Sequence, residues 1–171
     1  MKIVAIFAEK LYACQYDNET FNEYARLMNL WTDVVYLRQY ASQNYIADKW
    51  NFITEVMQDA KFIDDLIEEI IRDRAQLESF FRPLNDVETG VKILSFQKGK
   101  RYKLRIYAVK LDKNLFLITG GAIKLVHKMK EHLDTQIEKD KLEQVKIYLK
   151  NNFVFDGDSF YELINENYED E

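Results

Sequence analysis

Three alternating apolar runs follow the chain's sole proline, Pro83, and they constrain its fold more than any other feature: "VKILSFQ", "YKLRIYAVKL" and "LFLITGG". Period-two alternation marks strands whose two faces meet different surroundings. The joints between the runs, "KGKR" and "DKN", are short and turn-rich. Such joints select antiparallel neighbours, because a parallel return needs a crossover of about a dozen residues or more. The sequence therefore predicts a three-stranded antiparallel meander.

The apolar period upstream is helical. Phe52, Val56, Met57, Ala60, Ile63, Leu66, Ile67, Ile70 and Ile71 recur at three-to-four spacing with acids between them, the pattern of a helix with one buried stripe. That helix is expected from about Asn51 to Phe81, broken once near Gln58 to Lys61 and ended by Pro83. Thr20-Phe21-Asn22-Glu23 reads as a capping box opening a shorter helix to about Asn29. "TDVVYLRQYA" reads as another helix, capped by Thr32 or Asp33. At the N-terminus, "KIVAIFA" and "KLYACQY" suggest two short strands in a hairpin. After the meander, "EHLDTQIEKDKLEQVKIYLKN" is a charged helix expected to pack through Leu133, Ile137, Leu142, Val145 and Leu149. The remaining tail should add a turn or short strand and a short helix. The order of strands, helices, meander and helix gives an α+β domain, with the meander packed against helices. At 171 residues, one domain is expected.

Composition narrows the setting. The single cysteine, Cys14, excludes an intramolecular disulfide framework and fits a reducing, cytoplasmic compartment. No run approaches the roughly 20 apolar residues of a membrane span, and the apolar stretch Ile3 to Ala8 is too short for a secretory signal. The net charge of −5 hides segregation: residues 91–130 hold eleven Lys and Arg against one acid, Asp112, while the sixteen residues from Asp156 hold seven acids and no base. A basic surface for a polyanion is one reading, and a solvated sheet edge kept from aggregating by lysines is the other.

The middle strand bears most on chemistry. Alternation places Arg101, Lys103, Arg105 and Tyr107 on one face, with Tyr102, Leu104, Ile106 and Ala108 on the other. A cationic track ending in an aromatic ring can hold a single RNA strand, phosphates against the cations and a base on the ring. An ordinary solvent face looks the same. Gly120-Gly121 followed by Lys124 hints at a phosphate loop, but four residues do not separate the glycines and Lys124 precedes Leu125, so a P-loop is excluded. A dinucleotide fingerprint lacks its third glycine. The pair is better explained by a bulge or a close backbone approach. His127 and His132 lie five apart, which does not align them on one helix face, so no metal site is expected. His127, between Lys124 and Lys128, is the histidine placed for chemistry.

"FFRPL", then "KGKRYKLRIYAVKLDKNLFLITGGAIKLVHKM", then a charged helix, resembles the RelE/ParE superfamily of type II toxins, most closely its HigB-like and phage-derived members. Phe81 to Leu84 match the family's turn, Tyr102 to Tyr107 its central strand, and Ile118 to Lys124 its last strand. The resemblance spans roughly residues 51–150, with residues 1–50 as an N-terminal elaboration and 151–171 as an acidic tail. It implies a helical hairpin with a three- to four-stranded meander. In function it implies metal-independent, cofactor-free cleavage of mRNA, commonly on the ribosome, and neutralisation by an antitoxin protein. A homo-oligomer is compatible with it. The chemistry would be attack of a ribose 2′-hydroxyl on the adjacent phosphate, which needs a base, an acid and cations. Carried onto this chain, Arg105 would stabilise the phosphate, Lys124 and His127 would serve as acid and base, and Arg101, Lys103, Lys128 and Tyr107 would bind RNA. A non-catalytic interaction module on the same scaffold is the alternative, since fold does not fix function. The acidic tail could also fold over the basic face as a built-in cover.

Overall fold

The computed structural model describes residues 1–7, 10–72, 77–79, 81–83, 92–96, 103–125 and 133–169. The architecture is α+β, with helices on both faces of one mixed sheet. Its strands are β1 (Lys2–Phe7), β2 (Leu11–Gln15), β3 (Phe81–Pro83), β4 (Lys92–Phe96), β5 (Leu104–Asp112) and β6 (Leu115–Ile123), in spatial order β1-β2-β6-β5-β4-β3. The expected hairpin and meander both form: β1 pairs antiparallel with β2, β4 with β5, and β5 with β6. The β5–β6 turn at "DKN" places Asn114 at φ 60°, a left-handed conformation that asparagine tolerates better than most residues. The sequence gives no hint that β2 joins the meander in parallel, Leu11 to Ala13 pairing with Phe116 to Ile118. Three helices separate those strands, which supplies the crossover that a parallel pair requires.

The helices are α1 (Glu23–Thr32), α2 (Val34–Gln43), α3 (Lys49–Arg72), α4 (Leu133–Asn151) and α5 (Gly157–Glu169). Asp33 caps α2 as expected, accepting from the N–H groups of Val35 and Tyr36. The cap of α1 is Asn22 rather than Thr20, accepting from Ala25 N–H at 3.0 Å, and the helix runs on to Thr32. Helix α3 passes through Gln58 to Lys61 unbroken and ends at Arg72. Its stripe of Val56, Ala60, Ile63 and Ile67 is buried throughout, so no break is needed to keep the apolar face inward. Pro83 does not terminate a helix. It lies in β3 at the sheet edge, where a residue without an N–H does least harm. None of the described helices is long and apolar enough to cross a membrane.

One face of the sheet, through Leu11, Ala13, Leu104, Ile106, Ala108, Phe116 and Ile118, packs against α1, α2 and α3. Phe81 stacks on Phe116 there, with ring centroids 4.5 Å apart. Each such fully buried side chain contributes roughly 1.5–3 kcal/mol of burial. The opposite face divides into two halves. Its apolar half, Tyr12, Cys14, Val109, Leu115 and Leu117, packs against Leu142, Val145 and Leu149 of α4 and Phe160, Leu163 and Ile164 of α5. The acidic tail is thus a core helix over this half rather than a loose cover. In α4, Leu142, Val145 and Leu149 pack inward as expected, but Ile137 is 45% exposed. The other half of the same face is polar.

Candidate functional site: a polar recess beneath helix α4

Paired residues of β2 and β6 end at Ala13 and Ile118, and polar side chains take over the contact beyond them. The Tyr16 hydroxyl donates to the Thr119 carbonyl at 2.7 Å, a side chain standing in for a ladder bond. Burial, reinforced by Glu23 and Glu138, raises the Tyr16 phenol well above its ordinary value. Thr119 is the extra residue of a bulge: Tyr107 pairs with Gly120, whereas Ala108 already pairs with Ile118. Its hydroxyl donates to the Tyr107 carbonyl at 3.4 Å.

Beyond the bulge the register is regular, so strand alternation sets the two glycines on opposite faces, and each faces a different neighbour. A Cβ on Gly121 would stand 2.6 Å from the Arg105 carbonyl oxygen, 2.8 Å from Leu27 Cδ1 and 3.1 Å from Trp31, so this glycine lets α1 lie against the sheet. A Cβ on Gly120 would stand 1.7 Å from Glu138 Oε2. Gly120 is therefore a notch, and the carboxylate of α4 occupies it. The expectation of a close approach holds, and the neighbours are a helix and a carboxylate rather than a phosphate.

A charge network surrounds the notch. Glu23, at the first turn of α1 and fully buried, accepts from Arg26 Nε and Arg26 NH2 at 2.6 and 2.8 Å. Lys141 Nζ reaches Glu23 Oε2 at 2.8 Å and Glu138 Oε1 at 3.5 Å, and lies 5.4 Å from the centre of the Tyr16 ring. Glu138 Oε2 is buried with no hydrogen-bond partner. Burial, more than the neighbouring Glu23, pushes the Glu138 carboxyl up to about 7, against the pull of Lys141 and Arg26. That value suits proton exchange near neutrality. Cys14 is a different case: burial pushes its thiol far up, so it is no thiolate nucleophile.

Of the residues singled out by sequence, Arg105 and Tyr107 lie on the side of the sheet that carries this recess, and both are half-buried. The Arg105 Nε is buried with no partner. Burial raises the Tyr107 phenol, while the adjacent Arg105 guanidinium lowers it. Lys103 departs from the expected strip. It precedes β5, its N–H donates to Asp59 Oδ2 at 2.6 Å, and its ammonium meets Glu55 Oε2 at 2.9 Å and the Phe52 ring at 5.9 Å. It is turned onto α3, on the opposite side from Arg105, and its charge is answered. Lys124 follows β6 with its N–H donating to the Lys103 carbonyl. Arg101, His127 and Lys128 lie outside the described residues.

Glu23, Arg26, Glu138 and Lys141 are the members of the recess that sequence reasoning missed. Glu23 looked like a capping-box partner, and Glu138 and Lys141 looked like the solvated face of a charged helix. The glycine pair was the available signal, since a glycine facing a helix marks where something needs room. Outside the recess, a surface cleft of about 660 Å³ runs between α4 and the segment after β2, lined by Tyr16, Asp17, Glu19, Ile137, Asp140 and Lys141 among others. Its acids suit it poorly to phosphate. Among the described residues no group of three or more His, Cys, Asp or Glu is placed to hold a metal ion. The chain matches no protein-family model, no curated protein and no solved structure.

Proposed function

We propose that this protein is an RNA-directed domain of the RelE/ParE toxin kind, in which Arg105 meets a phosphate of the RNA. The observation that carries this reading is the Arg105 Nε, a guanidinium donor buried beside Tyr107 with no partner of its own. An unpaired buried donor costs about 1–3 kcal/mol, more when charged, and an incoming phosphate oxygen would remove that cost. Further support comes from the helices over an antiparallel meander, from Lys124 two residues beyond the partner of Arg105, and from the eleven Lys and Arg of residues 91–130. In this reading Arg105 stabilises the charge growing on the phosphate, Lys124 and His127 exchange protons, and Tyr107 stacks a base. Arg101 and Lys128 hold the strand, with no metal or cofactor; Lys103, paired with Glu55 on the other side, takes no part. The partners are mRNA, on the ribosome or free of it, and an antitoxin protein, in the cytoplasm.

The test is incubation of the purified protein with mRNA, with and without ribosomes, beside expression in growing cells. Cleavage that is lost in Arg105→Ala supports the reading; no cleavage and no growth inhibition overturns the enzymatic part. A non-catalytic interaction module is the second reading, favoured by the pairing of the Lys103 ammonium with Glu55. It predicts that an Arg105→Ala, Lys124→Ala variant keeps its phenotype and its partner.

A further inference from the structure

Helix α4 carries apolar side chains on two faces, and the sheet covers one of them. Leu142, Val145 and Leu149 are buried in the core, whereas Ile137 and Ile147 are 45% and 54% exposed. A single exposed isoleucine needs no explanation, but these two belong to a series. Ile137, Asp140, Gln144, Ile147 and Asn151 follow one another at intervals of three, four, three and four residues. That is the spacing by which paired helices align side chains along one seam. All five line the same cleft of about 660 Å³ between α4 and the segment after β2. From Ile137 to Ile147 the seam spans ten residues, about 15 Å of helix.

We propose that this protein pairs with a second copy of itself along this seam, the two α4 helices running antiparallel about a two-fold axis. The seam reads the same from either end: isoleucine, polar, polar, isoleucine. With the axis level with Leu142, Ile137 falls opposite Ile147 of the second copy, and Asp140 opposite its Gln144. Each contact then occurs twice, as a two-fold interface requires. Asp140 Oδ1 already accepts from Gln136 at 2.8 Å, and a carboxylate has acceptor capacity left for the second amide. A parallel pairing would instead set Asp140 against Asp140. Most charged groups beside the seam are answered within their own chain: Asp17 by the N-terminal ammonium, Lys141 by Glu23, and Glu143 by Lys146. The isoleucine pattern, more than charge, therefore selects the partner. The contact is confined to one helix face, so the dimer is weak and reversible. It rests on α4 alone and is independent of the RNA reading.

Sedimentation equilibrium of the full chain, from micromolar to near-millimolar concentration, tests this. The expected result is a monomer–dimer equilibrium that Ile147→Asp weakens at least tenfold. Phe155→Ser, which removes an aromatic ring 78% exposed outside the seam, should leave it unchanged. A monomer at every concentration, or an equal loss in both variants, overturns the proposal. Register is read by oxidative cross-linking of Ile137→Cys and Ile147→Cys proteins, in which the native Cys14 is buried and does not compete. An equimolar mixture of the two should give several times more covalent dimer than either alone. Cross-linking within each single variant but not between them overturns the antiparallel seam, as does no cross-linking at all.

Discussion

The placement of Glu138 in the Gly120 notch can be tested by a thermodynamic cycle of Gly120→Ala and Glu138→Ala. In the wild type the added methyl would stand 1.7 Å from Glu138 Oε2, where real Cβ contacts essentially never fall below 3.0 Å, so the carboxylate must move by more than 1 Å. Lys141, already shared with Glu23, restrains that movement. Overpacking of this kind costs about 1–3 kcal/mol, while alanine in a strand recovers roughly 0.5–1 kcal/mol over glycine. Gly120→Ala alone should therefore destabilise by about 1–2 kcal/mol. In the Glu138→Ala background the notch is vacant and the methyl has room, so the same substitution should be neutral or stabilising by roughly 0.5 kcal/mol. The coupling between the two sites is then about 2 kcal/mol, well above the roughly 0.5 kcal/mol scatter of independent sites. Urea unfolding of the four proteins at one pH, with slopes compared to confirm a common unfolded state, gives the number. Equal effects of Gly120→Ala in both backgrounds would refute the notch.

The neighbouring glycine behaves differently. Gly121→Ala sets its methyl 2.6 Å from the backbone carbonyl of Arg105 and against Leu27 and Trp31, so it should cost about 3 kcal/mol or more in urea unfolding, whatever residue occupies position 138. Glu138→Gln should change the pH dependence of stability. A carboxyl raised from 4.5 to about 7 by folding contributes stability that is fully present below pH 4.5 and lost as the pH rises through 7, about 3 kcal/mol in all. The difference between variant and wild type should therefore grow in favour of the variant across that window and level off above it; parallel curves would contradict the assignment. Glu23→Ala leaves Arg26 and Lys141 without their shared carboxylate and should lower stability by about 3 kcal/mol, a loss measurable by thermal or urea unfolding.

Local rules carried the fold as far as local rules can. The alternation of "YKLRIYAVKL" and "LFLITGG" located β5 and β6, and the stripe from Phe52 to Ile70 located α3. Each is a short-range pattern whose periodicity directly reports which face is buried. The parallel pairing of β2 with β6 was not legible, because it joins segments about a hundred residues apart and no periodicity encodes a partner. The lost break in α3 and the shifted α1 cap come from packing and a single side-chain acceptor overriding weak local signals. For the recess, alternation placed Arg105 and Tyr107 on one face correctly, but Lys103 sits just ahead of the strand, where the period does not apply and Glu55 draws it to α3. Glu23, Glu138 and Lys141 were opaque because charged residues on a helix are solvated far more often than buried. Only their mutual pairing, visible in three dimensions, makes the burial tolerable.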